Sequence, residues 1–206
     1  STILPRINTP EGLLFHPHGI DLQVLNGIPY LFTISHNDEK NRHLIFKYRV
    51  EQERLVFEDT ISNPKYLISP NDLAVSEKGE IYFSNDAGKR GAMLEQLLKL
   101  KRSHVVYANP ETNTWRKAAG KMVYANGVAI RGGKVYVATT RSNKIFEFDK
   151  NENGELSNRK ILTKIKGLDN LMFYEDKIIT TSHPKSMVFI KHVKSTENKS
   201  PSLVHE

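Results

Sequence analysis

Apolar residues fall in short alternating runs along the whole chain, and four of these runs are entered by the same kind of polar segment. Ser69-Pro70-Asn71-Asp72-Leu73-Ala74-Val75 is the clearest copy. Pro17-His18-Gly19-Ile20-Asp21-Leu22, Ala125-Asn126-Gly127-Val128-Ala129-Ile130 and Leu168-Asp169-Asn170-Leu171-Met172-Phe173 repeat it. After each copy comes a turn with Gly or charged residues and then a second apolar run: Tyr30 to Ile34, Ile81 to Phe83, Val135 to Ala138 and Lys177 to Thr181. Each unit therefore opens as a hairpin. The equivalent positions His18, Asn71, Asn126 and Asn170 are 53, 55 and 44 residues apart, at the long end of the periods of propeller blades.

Two further runs complete each unit. The first unit reads Gly19 to Leu25, Pro29 to Ser35, Arg42 to Val50 and Arg54 to Ile61, with turns at Asn26-Gly27 and Asn37 to Asn41. The second reads Asp72 to Val75, Glu80 to Ser84, His104 to Ala108 and Thr114 to Ala118, and the third Gly127 to Ile130, Lys134 to Thr140, Lys144 to Asp149 and Asn158 to Thr163. The fourth reads Leu171 to Tyr174, Lys177 to Ser182, Met187 to Val193 and Pro201 to His205. Four-stranded antiparallel units repeated in this way bury their faces only against one another, packed radially around a channel lined by the first strands. The predicted fold is all-β, a β-propeller spanning 1–206 as one domain. Its four polar entries converge at one mouth of the channel.

Two segments stand outside the repeat. Ser1 to Phe15, punctuated by Pro and Gly, reads as a lead-in arriving from something upstream. Lys89 to Arg102 carries Met93, Leu94, Leu97, Leu98 and Lys101 at helical spacing, which predicts one short inserted helix over the mouth, between the second and third strands of the second unit. The reading that its apolar face holds it down on the blade tops is favoured over membrane contact, with Met93 and Leu97 available to the pocket wall.

Composition narrows the chemistry. The chain has 206 residues, 38% hydrophobic and 26% charged, as in an ordinary globular protein. With no cysteine, disulfides and thiolate metal sites are excluded. The charge of +7 is scattered among strands and turns with no aromatic RNA-binding pattern, so no nucleic-acid partner is expected. Nothing approaches the roughly 18 apolar residues of a membrane span, and no apolar signal-peptide block opens the chain, so a soluble protein of unassigned compartment is expected.

Asn71, Asp72, Asn126, Asp169 and Asn170 form an all-oxygen set at the predicted channel mouth. Hard oxygen donors select calcium or magnesium, and calcium accepts the irregular coordination that Asn carbonyls from several strand ends would supply. One such residue alone would read as an Asx-turn, but recurrence in register across four units favours a shared site. Histidines His18 and His36 suit acid–base work near neutrality. His16, His43, His104, His192 and His205 have no motif around them and read as surface or strand residues.

The order Pro17-His18-Gly19-Ile20, Ser35-His36-Asn37, Pro70-Asn71-Asp72, Ser84-Asn85-Asp86, Ala125-Asn126-Gly127, Asp169-Asn170 and His183-Pro184 closely resembles the serum paraoxonase and arylesterase family, six-bladed propellers with calcium-dependent lactonase and arylesterase activity. The resemblance implies that Asn71, Asn126, Asp169 and Asn170 ligate a catalytic calcium, and that Asp72 and the Ile20 carbonyl ligate a structural one. It further implies that His18 and His36 form a dyad, with His183 a further active-site histidine. Substrates would be small lactones and aryl or carboxylic esters. The family's adjacent Glu–Asp ligand pair has no counterpart before His18, and the animal members' cysteine pair is absent. Four blades of an expected six imply a partial propeller, its ring completed by missing segments of the same chain or by a second chain. The rival readings are a non-hydrolytic propeller, either strictosidine synthase-like or an interaction platform, and a gluconolactonase-type sugar-lactone hydrolase.

Overall fold

The structure, a computed structural model, describes residues 4–36, 42–89, 95, 97–185, 188, 195, 197 and 199–206. It is all-β, with sixteen strands in four sheets. The first blade orders β1 (Arg6–Ile7), β5 (Leu55–Ile61), β4 (Leu44–Val50), β3 (Ile28–Ser35) and β2 (Pro17–Leu25) from rim to channel. The second holds β6 (Pro70–Val75), β7 (Ile81–Asn85), β8 (Ser103–Asn109) and β9 (Thr114–Met122). In the third are β10 (Ala125–Arg131), β11 (Lys134–Thr139), β12 (Lys144–Lys150) and β13 (Leu156–Lys164). The fourth has β14 (Leu168–Tyr174), β15 (Lys177–Ser182) and β16 (Leu203–His205).

Successive first strands β2, β6, β10 and β14 lie side by side, so the propeller arrangement of four blades stands as expected. Three apolar cores sit between the blades: Phe32, Ile34, Ile45 and Phe83 join the first two, Tyr82, Val105, Val137 and Phe146 the middle two, and Ala138, Ile145, Leu168 and Leu171 the last two. At Asn26 the backbone takes φ 51°, followed by Gly27 at φ 80°, the two left-handed residues of a tight hairpin turn.

Three expectations need correction. The first blade has five strands instead of four: Arg6–Ile7 of the lead-in adds a strand parallel to β5, and Phe15 packs edge-on against Phe46 and Tyr48 at 5.5 and 6.1 Å, both of them fully buried. Two residues of strand were too short to show a period. In the fourth blade, β16 pairs directly with β15, taking the place assigned to Met187 to Val193; that run lies outside the described residues except Val188, which is helical. Most of the inserted helix also lies outside the described residues, including Met93 and Leu94. Within it Glu95 and Leu97 are helical, but Leu97 and Leu98 are 74% and 63% exposed instead of holding the segment down. Glu95 holds it, buried and accepting from Gly88 N at 2.8 Å and Arg102 Nη1 at 3.1 Å.

Candidate active site at the channel mouth

Each polar entry is a β-bulge. The pairing of β2 with β3 shifts between Pro17 and Ile20, that of β6 with β7 between Pro70 and Leu73, β10 with β11 between Ala125 and Val128, and β14 with β15 between Leu168 and Leu171. The residues inside the four shifts are His18-Gly19, Asn71-Asp72, Asn126-Gly127 and Asp169-Asn170. A bulge releases residues from the ladder and re-aims their side chains, which is why the repeat carries polar groups at these places. Glycine serves a second need. A Cβ at Gly19 would stand 2.6 Å from the Asn71 carbonyl oxygen, and one at Gly127 would stand 2.5 Å from Leu171 N. Only glycine lets neighbouring first strands close so tightly.

The polar groups then interlock across blades. Asn71, Asp72 and Asn126 are 6%, 5% and 6% exposed, Asp169 is half-buried and Asn170 is exposed. Asn126 Nδ2 donates to Asp169 Oδ1 at 2.7 Å and Thr140 Oγ1 at 3.2 Å, and its Oδ1 is buried with no partner. His183 Nε2 donates to Asp169 Oδ2 at 3.0 Å, while its Nδ1 accepts from Ser202 Oγ at 3.0 Å. Ser84 Oγ accepts from Asp72 N at 3.1 Å and donates to the Asn126 carbonyl at 2.5 Å, joining the second and third blades.

His18 and His36 form a ring pair with centroids 4.9 Å apart and planes at 32°. His36 Nε2 lies 2.7 Å from the Pro70 carbonyl oxygen. A carbonyl only accepts, so that nitrogen carries the proton. Loss of surrounding water lowers the His18 pKa, and the neighbouring His36 lowers it further, against the opposing pull of Asp86 and Asp169. The net shift favours the neutral, proton-accepting form of the ring.

The candidate ligands divide into two neighbourhoods. Asn71, Asn126, Asp169 and His183 belong to the mouth network with His18 and His36. Asp72 lies deeper, its Oδ2 accepting from Val128 N at 2.9 Å. Ile20, Asp72, Asn170 and His18 line a channel cavity of about 540 Å³. Burial, with Asp21 and Asp169 nearby, pushes the Asp72 carboxyl up to about 7.

Four residues escaped the sequence reading. Asp86 accepts from Ser69 Oγ at 2.5 Å and Asn71 Nδ2 at 3.4 Å, and burial raises its pKa. Its motif Ser84-Asn85-Asp86 was visible, but nothing there indicated that the side chain turns toward Asn71. Asp21 is likewise raised by burial and accepts from Val75 N at 2.7 Å; its position one turn of the pleat beyond the bulge was the available signal. Tyr124, whose hydroxyl pKa burial raises with Asp86 and Asp169 close by, carried no signal. His43 is no surface residue: it is 4% exposed, with its ring 4.9 Å from that of His36. His104 is a strand residue, as expected, but also buried.

The residues at the mouth fit a hard cation. Asn126 presents an unpartnered buried carbonyl oxygen, and burial raises the carboxyl pKa of Asp72 and Asp86, whose hydrogen-bond partners among the described residues are backbone N–H, hydroxyl and amide groups. Among the described residues no group of three or more His, Cys, Asp or Glu side chains could hold a metal, so a site built from them would add asparagine and backbone oxygens to at most two carboxylates or imidazoles.

Fold and mouth together define a propeller whose bulged first strands carry a histidine pair beside an oxygen-rich cluster. The family model for arylesterase matches residues 6–205, and the chain belongs to that family. It is 32% identical over 170 residues to serum paraoxonase/arylesterase 1 of Rattus norvegicus, covering 80% of this chain and 47% of the relative. With serum paraoxonase/lactonase 3 of Homo sapiens it shares 27% over 187 residues, 87% of this chain and 52% of the relative. The chain thus spans about half the length of these relatives. Among solved structures, luciferin-regenerating enzyme superposes with a TM-score of 0.55 at 12% identity, covering 82% of this chain and 56% of that one. A chain of the nidogen/laminin complex superposes at 0.56 and 15%, covering 81% and 57%. These two likenesses concern the fold alone. Among the described residues no helix is long and apolar enough to cross a membrane.

Proposed function

We propose that this chain carries the active site of a calcium-dependent hydrolase of lactones and of aryl or carboxylic esters. The observation that carries the reading is the histidine pair set beside Asn71, Asn126 and Asp169, with the Asn126 Oδ1 left unpartnered; family membership supports it. Asn71, Asn126, Asp169 and Asn170 would hold a catalytic calcium, and Asp72 with the Ile20 carbonyl a structural one. The chemistry a bound calcium supplies is polarisation of the substrate carbonyl and stabilisation of the oxyanion. His18 accepts the proton of the attacking water, with His36 as its support. His183, donating to Asp169 Oδ2, would orient that carboxylate in the site. Ala74 and Val128 give the cavity a buried apolar wall suited to an apolar substrate.

The test is hydrolysis of phenyl acetate and a small lactone panel before and after exhaustive chelation. Activity should vanish and return with calcium better than with zinc; hydrolysis untouched by chelation would sink the calcium mechanism. His18→Gln should cost roughly 10²-fold or more in rate, with calcium affinity retained. His36→Gln should act in the same direction and less.

Residues 1–206 are further read as one propeller domain of a larger ring. Ile20, Leu22 and Val24 are 61%, 60% and 55% exposed on the first blade, and Met172, Tyr174 and Val204 are 57%, 62% and 73% exposed on the last. Further blades of the same chain, or a second chain, would cover these faces. A monomeric, monodisperse and active species at 23.5 kDa would overturn that reading.

A further inference from the structure

We infer that His43 is a positioning residue for the His18–His36 pair. Its buried ring holds the His36 imidazole in the orientation in which Nε2 is tied to the Pro70 carbonyl and the ring lies against His18. The inference deepens the reading of that pair given above and rests on it.

Three imidazoles stand in a chain of contacts. His18 is open to the channel, His36 is half-buried, and His43, directly ahead of β4, is 4% exposed. The His18 and His36 centroids are 4.9 Å apart, and those of His36 and His43 are also 4.9 Å apart, with planes at 64°. Among the described residues, those facing His36 include His18 from β2, His43 from ahead of β4, the Pro70 carbonyl from β6 and Asp86 from the end of β7. A single hydrogen bond to Pro70 fixes one nitrogen but lets the ring swing about that bond, because the second torsion of a histidine is broad. An edge-on neighbour at 64° restricts that freedom, since planar rings in contact favour edge-to-face or offset-stacked arrangements over the others. His43 thus converts one anchor into two. None of the polar entries contains His43, and the rest of the chemistry does not use it.

The direct test is ring spectroscopy. One-bond ¹H–¹⁵N correlations of the His18 and His36 side chains are compared in the wild type, His43→Ala, His43→Val and His43→Phe. Valine keeps an apolar filler without a ring, and Phe keeps the planar edge. Ala and Val should broaden or shift the His36 ring signals and speed exchange of its Nε2 proton, whereas Phe should restore them. With phenyl acetate, kcat should fall about tenfold in Val, KM should stay within about twofold, and Phe should recover most of the loss. His36 signals unchanged in Val would overturn the inference, as would Phe failing to restore them. Absence of any hydrolysis by the wild type would overturn the proposed activity instead, and the ring spectra would still decide the role of His43.

Discussion

Two carboxylates of the second blade sit at opposite ends of its inner hairpin, and their surroundings differ in kind. Glu80, in the turn away from the mouth, is 7% exposed. It accepts from Tyr107 OH and Ser76 Oγ, each at 3.0 Å, and pairs with Lys150 of the next blade. Burial opposes its charge, yet Lys150 and the two hydroxyls together hold its carboxyl below the ordinary value. Asp72, at the mouth, is equally buried, but it has backbone N–H groups for partners and Asp21 and Asp169 for neighbours, and its carboxyl rises to about 7. One end of the blade brings its own cation. The other gathers carboxylate and carbonyl oxygens, the surroundings that the proposed calcium would use.

The largest expected consequence is a pH dependence confined to the mouth. A carboxyl with a raised folded pKa contributes its stability fully below the unfolded value near 3.8, and that stability is lost as pH rises through about 7. In chelator, Asp72 should therefore lower thermal stability between about pH 4 and 7 by on the order of 4 kcal/mol at most, and Asp72→Asn should flatten the slope to the part that the likewise raised Asp21 and Asp86 carboxyls contribute. A chelated protein whose melting temperature is flat across that window would erase the contrast with Glu80. Next in size, Glu80→Ala should leave Lys150 unpaired at the blade interface and cost about 3 kcal/mol in urea unfolding. The loss should be the same with and without calcium. Calcium at about 100 times its Kd should stabilise the wild type and Glu80→Ala alike by about 2.7 kcal/mol. Asp72→Asn should gain clearly less, and an equal gain in that variant would detach Asp72 from the metal. The smallest effect belongs to Ser84→Ala, which unties the Asp72 N–H and the Asn126 carbonyl and should cost about 1–2 kcal/mol by chemical denaturation.

Much of the fold was legible because a propeller writes its period into the chain. The four entries at His18, Asn71, Asn126 and Asp169 were visible as polar breaks ahead of apolar runs, and each proved to be a bulge at the same point of its blade. The mouth residues followed from that register. What stayed illegible was whatever depends on a contact between elements distant in sequence. Arg6–Ile7 pairs with Leu55–Val56 although neither run marks the other. Leu97 and Leu98 have helical spacing but no surface beneath them, so spacing alone misjudged their burial.

By itself, then, the sequence determined the all-β class, the four hairpin units, the absence of thiol chemistry and the identity of the oxygen and imidazole groups, since these follow from residue type and local period. Only the tertiary structure decided which groups meet. Asp86 reaches Asn71, His43 backs His36, and Asp72 is held by backbone N–H groups while Glu80 pairs with Lys150. Each of those outcomes depends on a neighbour supplied by another strand or blade, and a side chain's charge state and partners are properties of its surroundings in space, which a linear pattern does not carry.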